Sequence, residues 1–443
     1  MATHPGGAVY RSVRTLLVVC ATVIALVIGA NLARTGSPEP LAGAEDATGG
    51  AGAGVPPVNC APAWVAAWNA SPVAAPGGAA VGGRPEVGGR SLRMIVRPRM
   101  VGAEVRLVLS NRYGAEPLDL RSVSVGLAAG GPVLVGKPVP VTFDRLSTGQ
   151  IPAGGMLVSD AVPLEVTRDS TLAVSMYLPG RPDVVSEHPW AMTTSFVSDP
   201  GDVAASPDGA RFTHPTNSWL VLTGLDVQTP QAAHAVLLMG DSITDGLGSS
   251  PNADRRLSDD IGDKLAALGG GREMSVLNAG IAGNQLLTDH PSKVGESALT
   301  RLSWEVAGRS GVTDVILHAG TNDMAAGARP QDAITGMVRF AERAHDAGMR
   351  VFLTTITPAN TDAHGAPRAS EGRNEVNRWI RAHGREHADG VFDFAAAVTD
   401  VSNPTRLVSG FDAGDGIHLS DIGYRALAGA VDLSVLSGSR CLA

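Results

Sequence analysis

Val236-Leu-Leu-Met-Gly-Asp-Ser-Ile-Thr-Asp-Gly246 decides the reading of this chain. Four apolar residues, Val236 to Met239, read as a short buried strand, and Gly240-Asp241 supplies a turn signal at its end. Ser242 follows at once. A hydroxyl at the carboxyl end of a parallel strand stands where open α/β sheets place their chemistry. Alone, the stretch reads as an ordinary strand ending in a Gly-Asp-Ser turn. The sequence around it supplies the partners that such a serine needs.

Downstream, strand-like and helix-like segments alternate. Ser275–Leu277, Asp314–Leu317, Val351–Thr355 and Val391–Phe394 are further short strands. Helical periodicity covers Asp259–Leu268, Ala298–Ala307, Gln331–Ala347 and Glu371–His387, and Ser420 caps a last helix through about Val431. Such alternation predicts a parallel sheet with helices on both faces. Upstream the period is two. Leu92, Met94 and Val96 alternate with Arg93 and Arg97; Val105, Leu107 and Leu109 alternate with Glu104 and Arg106; Leu172 to Leu178 repeats the pattern. Turn clusters separate these runs, which predicts an all-β sandwich or jelly roll. The expected organisation is residues 1–33 as signal peptide or membrane anchor, 34–59 as a Gly-, Ala- and Pro-rich linker, 60–230 as the β-sandwich domain and 231–443 as the α/β domain.

The N-terminus carries an export pattern. Arg11 and Arg14 precede an apolar run from Leu16 to Ala30. A cleaved signal and a retained anchor through residues 15–33 both fit. Either places the remaining chain, secreted or membrane-anchored, outside the cytoplasm. In that compartment Cys60 and Cys441 are an expected disulfide, two free thiols being the alternative. Cys20 lies inside the apolar run. A net charge of −8 and the lack of a long basic run exclude nucleic acid as a partner.

The chemistry-bearing residues cluster at predicted strand ends. A serine hydroxyl needs a base to take its proton, normally a histidine oriented by a carboxylate. Asp415 and His418 stand three residues apart in Gly414-Asp-Gly-Ile-His418, just before the last helix. One loop can thus present both to one cleft. An oxyanion needs donors. Gly283, in Asn278-Ala-Gly-Ile-Ala-Gly-Asn284, can bring its backbone N–H close to a ligand. Asn322, in Gly320-Thr-Asn-Asp323, offers a side-chain amide. His318 is read as a packed strand-end residue and left out of the site.

These four stretches resemble the sequence blocks of the SGNH (GDSL) hydrolase superfamily. Gly240-Asp241-Ser242-Ile243 is similar to the first block, with Ile in place of Leu. Gly283 falls at the glycine of the second block, Gly320-Thr-Asn322-Asp323 at the third, and Asp415-Gly-Ile-His418 at the last. The resemblance implies a flavodoxin-like three-layer α/β/α domain with no metal and no organic cofactor. It implies a nucleophile, base and orienting carboxylate at Ser242, His418 and Asp415, and oxyanion donors at Ser242, Gly283 and Asn322. The β-rich region is similar to the N-terminal domain of a subset of exported esterases, through Trp64-Val-Ala-Ala-Trp68 and the turn of Ser110, Asn111 and Gly114. Leu419 stands where many members have Pro. Arg255-Arg-Leu257 replaces a stretch where such relatives often carry Trp, which alters the cleft wall.

Rival chemistries lack their motifs. Thr244 breaks the Gly-x-Ser-x-Gly elbow of α/β-hydrolases. His-Glu-x-x-His, paired Cys-x-x-Cys and the P-loop are absent from the sequence. The expected activity is hydrolysis of carboxylic esters, on small acyl groups of surface glycans or on lipid esters. Lipase or lysophospholipase action on longer acyl chains is the neighbouring alternative. A non-catalytic cell-wall binding protein is the alternative of a different class. The β domain is then either a brace on the α/β domain or a targeting module.

Overall fold

The computed structural model describes residues 61–77, 85–231, 233–269 and 273–437. The export segment, the linker and both Cys60 and Cys441 lie outside them. Among the described residues, no helix is long and apolar enough to cross a membrane.

Five parallel strands build the sheet that carries the site. Their order is Met274–Gly280, His234–Gly240, Val312–His318, Arg350–Thr354 and Gly390–Phe392. The first strand in sequence thus lies second in space, between the strands that end at Gly280 and His318. Its alternate side chains serve two cores. Leu237 and Met239 face a cluster with Leu302, Met337, Phe340 and Ile380. Val236 and Leu238 face another with Leu257, Ile261, Tyr424 and Leu427. Helices therefore cover both faces: Ala298–Ala307, Pro330–Asp346 and Pro367–His383 on one, Leu257–Leu268 and Asp421–Ala430 on the other. Each buried Leu or Phe contributes about 1.5–3 kcal/mol, which is why this pattern outweighs local propensity.

Residues 61–231 form antiparallel sheets. One runs Ala63–Asn69, Leu222–Thr229, Gly102–Ser110, Val162–Val166. A second is centred on Arg90–Val96 and Leu172–Leu178. A third small sheet joins Val73–Pro76, Val184–His188 and Trp219–Leu220. The core does not stop at residue 230. Val65, Leu107 and Val174 belong to the same buried cluster as Leu237, Leu277 and Phe340. The backbone joins too, with Ala66 N–H donating to Ser310 O at 2.9 Å.

Two local expectations are corrected. Arg93 alternates as a solvent-facing residue would, yet it is fully buried. It donates to Ser175 Oγ at 2.8 Å and to Ser206 O at 2.6 Å, and its guanidinium lies 4.0 Å from the Phe212 ring centre. The segment after Pro200 folds over that face, and its carbonyls replace water. Burial pulls the Arg93 pKa down to about 10, against the pull of Asp208. Phe394 does not extend the last strand. Asp393 accepts from Ala396 N–H and caps a short helix, Phe394–Val398.

Candidate active site

Ser242 opens a one-turn helix, Ser242–Asp245, just after the end of the strand His234–Gly240. Asp241 caps that turn by accepting from Ile243 N–H at 3.0 Å. Glycine is required on both sides of the turn. A Cβ on Gly240 would meet His318 O at 2.1 Å, and one on Gly280 would meet Asp245 N at 2.1 Å. Helix and strands can therefore close to backbone contact, which holds the serine at the sheet edge.

His418 arrives on the loop before the last helix, whose cap is Ser420 accepting from Gly423 N–H. Asp412 organises the loop by accepting from Gly414 N–H at 2.7 Å and Gly416 N–H at 3.0 Å. Leu419 anchors it, with its side chain fully buried among Tyr424 and Leu427. Asp415 accepts from the backbone N–H groups of Ile417 and His418 at 2.9 and 2.8 Å. Its second oxygen lies 2.6 Å from His418 Nδ1. Burial pushes the Asp415 carboxyl up, but the hydrogen bonds from the His418 N–H and ring and from Ile417 N–H outweigh it. The carboxyl is held below its usual range. A carboxylate only accepts, so Nδ1 carries the proton, and the Nε2 lone pair is free to accept from Ser242 Oγ at 2.8 Å.

The two predicted oxyanion donors lie on adjoining turns. Gly283 has a φ of 76°, in the left-handed region that favours glycine, and a Cβ there would meet Val294 Cγ1 at 2.7 Å. Asn322 Nδ2 donates to Asn284 O at 2.9 Å, which ties the turns together and leaves its second hydrogen for another acceptor. Asp323 adds a second tie by accepting from Leu286 N–H at 2.8 Å and Leu287 N–H at 3.0 Å. Burial raises its pKa against those two donors.

Several neighbours were not singled out from sequence. His364 Nε2 lies 3.0 Å from Asn322 Oδ1 and fixes the rotamer of that amide. Burial, then the charges of His418 and Arg373, lower the His364 pKa. No local pattern marks it; only the fold brings residue 364 to residue 322. Asp245 lies within the opening stretch, but neither it nor its partners, Ala282 N–H and His188, were singled out. His318 is packed as expected. Its Nδ1 donates to Thr354 Oγ1 at 2.7 Å, since that hydroxyl itself donates to Leu317 O, and burial pulls its pKa down to about 4. Arg256 faces the turn that carries Ser242: a Cβ on Gly246 would meet its Cγ at 2.3 Å. It also pairs with Asp259 at 2.8 Å. Among the described residues, no group of three or more His, Cys, Asp or Glu is arranged to hold a metal ion.

A family model described as GDSL-like lipase/acylhydrolase matches residues 238–426. Among solved structures, the chain is similar to the native aryl esterase of M. smegmatis, at 19% identity over 45% of this chain and 96% of that one, with a TM-score of 0.38. It is similar to a putative lipolytic protein of the G-D-S-L family from Desulfitobacterium hafniense DCB-2, at 18% identity over 46% of this chain and 99% of that one, TM-score 0.37. Est24, a carbohydrate acetylesterase from Sinorhizobium meliloti, aligns at 21% identity over 44% of this chain and 95% of that one, TM-score 0.35. No curated protein matches the chain.

Proposed function

Residues 238–426 belong to the GDSL-like lipase/acylhydrolase family and the chain is a carboxylic ester hydrolase; from that premise we propose an exported serine esterase working through Ser242, His418 and Asp415. The observation that carries the reading is the continuous relay from Asp415 to His418 at 2.6 Å and from His418 to Ser242 at 2.8 Å. His418 takes the Ser242 proton as Oγ bonds to the acyl carbon. The backbone N–H groups of Ser242 and Gly283 and the Asn322 amide receive the oxyanion. His418 then gives the proton to the leaving alkoxide as the ester C–O bond breaks. Water, deprotonated by the same ring, attacks the acyl-enzyme and frees the acid.

The favoured substrates are small acyl groups on surface glycans or lipid esters. The charged pair Arg11 and Arg14 before the apolar run to Ala30 supports export, which removes cytoplasmic acyl-CoA thioesters from reach. We assign the α/β part to the flavodoxin-like three-layer class, supported by its strand order and by helices on both faces. The β-rich part is assigned to the sandwich class. A Cys60–Cys441 disulfide remains part of the proposal. Mass spectrometry of the oxidised protein should find the linked peptides, and two alkylatable thiols would remove the bridge.

The test is a series of p-nitrophenyl esters of increasing acyl length, with Ser242→Ala alongside. Turnover that is highest on acetate and lost in the variant is expected. An optimum at long chains would move the assignment to a lipase. No turnover on any ester would favour the binding-protein alternative.

A further inference from the structure

The ester-hydrolysing site has neighbours in the β-rich region that no local motif assigns to it. His188 ends the strand Val184–His188 and is buried. Its Nδ1 lies 2.9 Å from Ser71 O and its Nε2 lies 3.1 Å from Asp245 Oδ1. A carbonyl oxygen only accepts, so Nδ1 carries a hydrogen. An ionised carboxylate only accepts, so Nε2 carries one too. The ring is then an imidazolium paired with Asp245. Burial opposes that charge, but the Asp245 carboxylate and both hydrogen bonds outweigh it, and the His188 pKa is raised, with Arg256 as the opposing cation. Asp245 is the last residue of the nucleophile helix. Its other oxygen accepts from Ala282 N–H at 3.1 Å. Ala282 directly precedes Gly283.

A second line reaches the far side of the same turn. Ser71, fully buried between two strands of the β-rich region, donates its hydroxyl to Glu305 and accepts from Arg301 Nη1 at 3.2 Å. Arg301 donates to Gly240 O at 3.0 Å and to Asn284 Oδ1 at 3.2 and 3.3 Å. Asn284 directly follows Gly283, and its carbonyl holds the Asn322 amide. The turn Ala282-Gly283-Asn284 is thus gripped at both ends by charged, desolvated groups whose outer partners are His188 and Ser71. Burying such groups is expensive compared with apolar packing, and stability alone does not call for it. A rigid polar network does fix donors in place.

We propose that His188 and Ser71 are positioning residues, through which the β-rich region holds the Gly283 and Asn322 oxyanion donors by way of Asp245 and Arg301. The β-rich region is then a working part of the catalytic frame and not a detachable targeting module. The proposal rests on the serine-esterase reading above. Misplacing reacting groups by about 1 Å costs on the order of 10²-fold in rate, which sets the scale of the effect.

The experiment measures kcat and KM on p-nitrophenyl acetate for His188→Ala, Asp245→Ala, their double variant, Asp245→Asn and Ser242→Ala, each in the full chain. Rates of the forms that keep Ser242 are divided by the sites that react with a fluorophosphonate, so that misfolded protein does not count; Ser242→Ala, which lacks the reactive serine, is compared per mole of protein. His188→Ala and Asp245→Ala should each lower kcat per site by roughly 10- to 100-fold, with KM within about threefold. The double variant should lose no more than the worse single one, because both act along one line. Asp245→Asn should recover most of the rate: its oxygen can accept from Ala282 N–H and its amide can donate to a neutral His188. Unchanged kcat per site in His188→Ala, additive losses, or Asp245→Asn as poor as Asp245→Ala would overturn the proposal. Loss of reactive sites with normal turnover at each would do so too, leaving His188 a purely structural residue. Wild-type turnover in Ser242→Ala would instead bring down the nucleophile assignment and the positioning role with it.

Discussion

Asp241 directly precedes Ser242 and makes the stability of this protein depend on pH in an unusual direction. One of its oxygens accepts from Ile243 N–H, while the other is buried with no hydrogen-bond partner. Burial, the leading cause, and the nearby Asp323 and Asp245 carboxylates push its pKa from 3.8 up to about 7, against the backbone donors. Between about pH 4 and 7 the folded chain keeps a proton that the unfolded chain has released, so stability falls as pH rises through that window. At about 1.4 kcal/mol per unit, a shift of roughly three units amounts to about 4 kcal/mol. Asp241→Asn removes the titration and keeps an acceptor for Ile243 N–H. The new amide hydrogens lower its stability by about 1–3 kcal/mol at every pH if they find no acceptor. The pH dependence is therefore the informative quantity. Urea unfolding at intervals from pH 4 to 8 should show wild type losing ground steadily against the Asp241→Asn variant, by about 4 kcal/mol in all. Parallel curves for the two proteins would refute the reasoning and place Asp241 in an ordinary, solvated state.

Three further outcomes follow from the geometry. Asn322→Ala should lower kcat by about 10²–10³-fold while leaving traces of activity, as read by steady-state kinetics on p-nitrophenyl acetate. Gly283→Ala should destabilise the fold by about 1–2 kcal/mol for the left-handed backbone and lower kcat further as the new Cβ displaces Val294, which urea titration and kinetics would report separately. Arg301→Met should cost about 3–5 kcal/mol in urea unfolding, because it leaves the buried Glu305 carboxylate with only Arg309 at 3.7 Å and Ser71 as partners.

The parallel sheet was legible because its strands are short, largely apolar runs, and alternation with helical periods leaves few other folds. The relay was legible for a related reason. Ser242, Gly283, Asn322 and the Asp415–His418 pair all sit where a strand or loop ends, so a one-dimensional pattern locates them. The supporting groups were not legible. Residue 188 reaches residue 245, and residue 71 reaches residue 301, across a boundary that the change in period had suggested was a division between domains. Contacts of that range leave no periodic trace. Arg93 fails for the same reason: alternation says which side of the strand it takes, and only the overlying segment after Pro200 decides that this side is dry.

The most direct test of the account is covalent labelling of the intact chain with a fluorophosphonate, followed by peptide mapping. The reagent should form one adduct, on Ser242 Oγ, at a rate that collapses when His418 is replaced by alanine, because the unactivated hydroxyl is a poor nucleophile. Absence of labelling, or an adduct on another serine while ester hydrolysis continues, would contradict it.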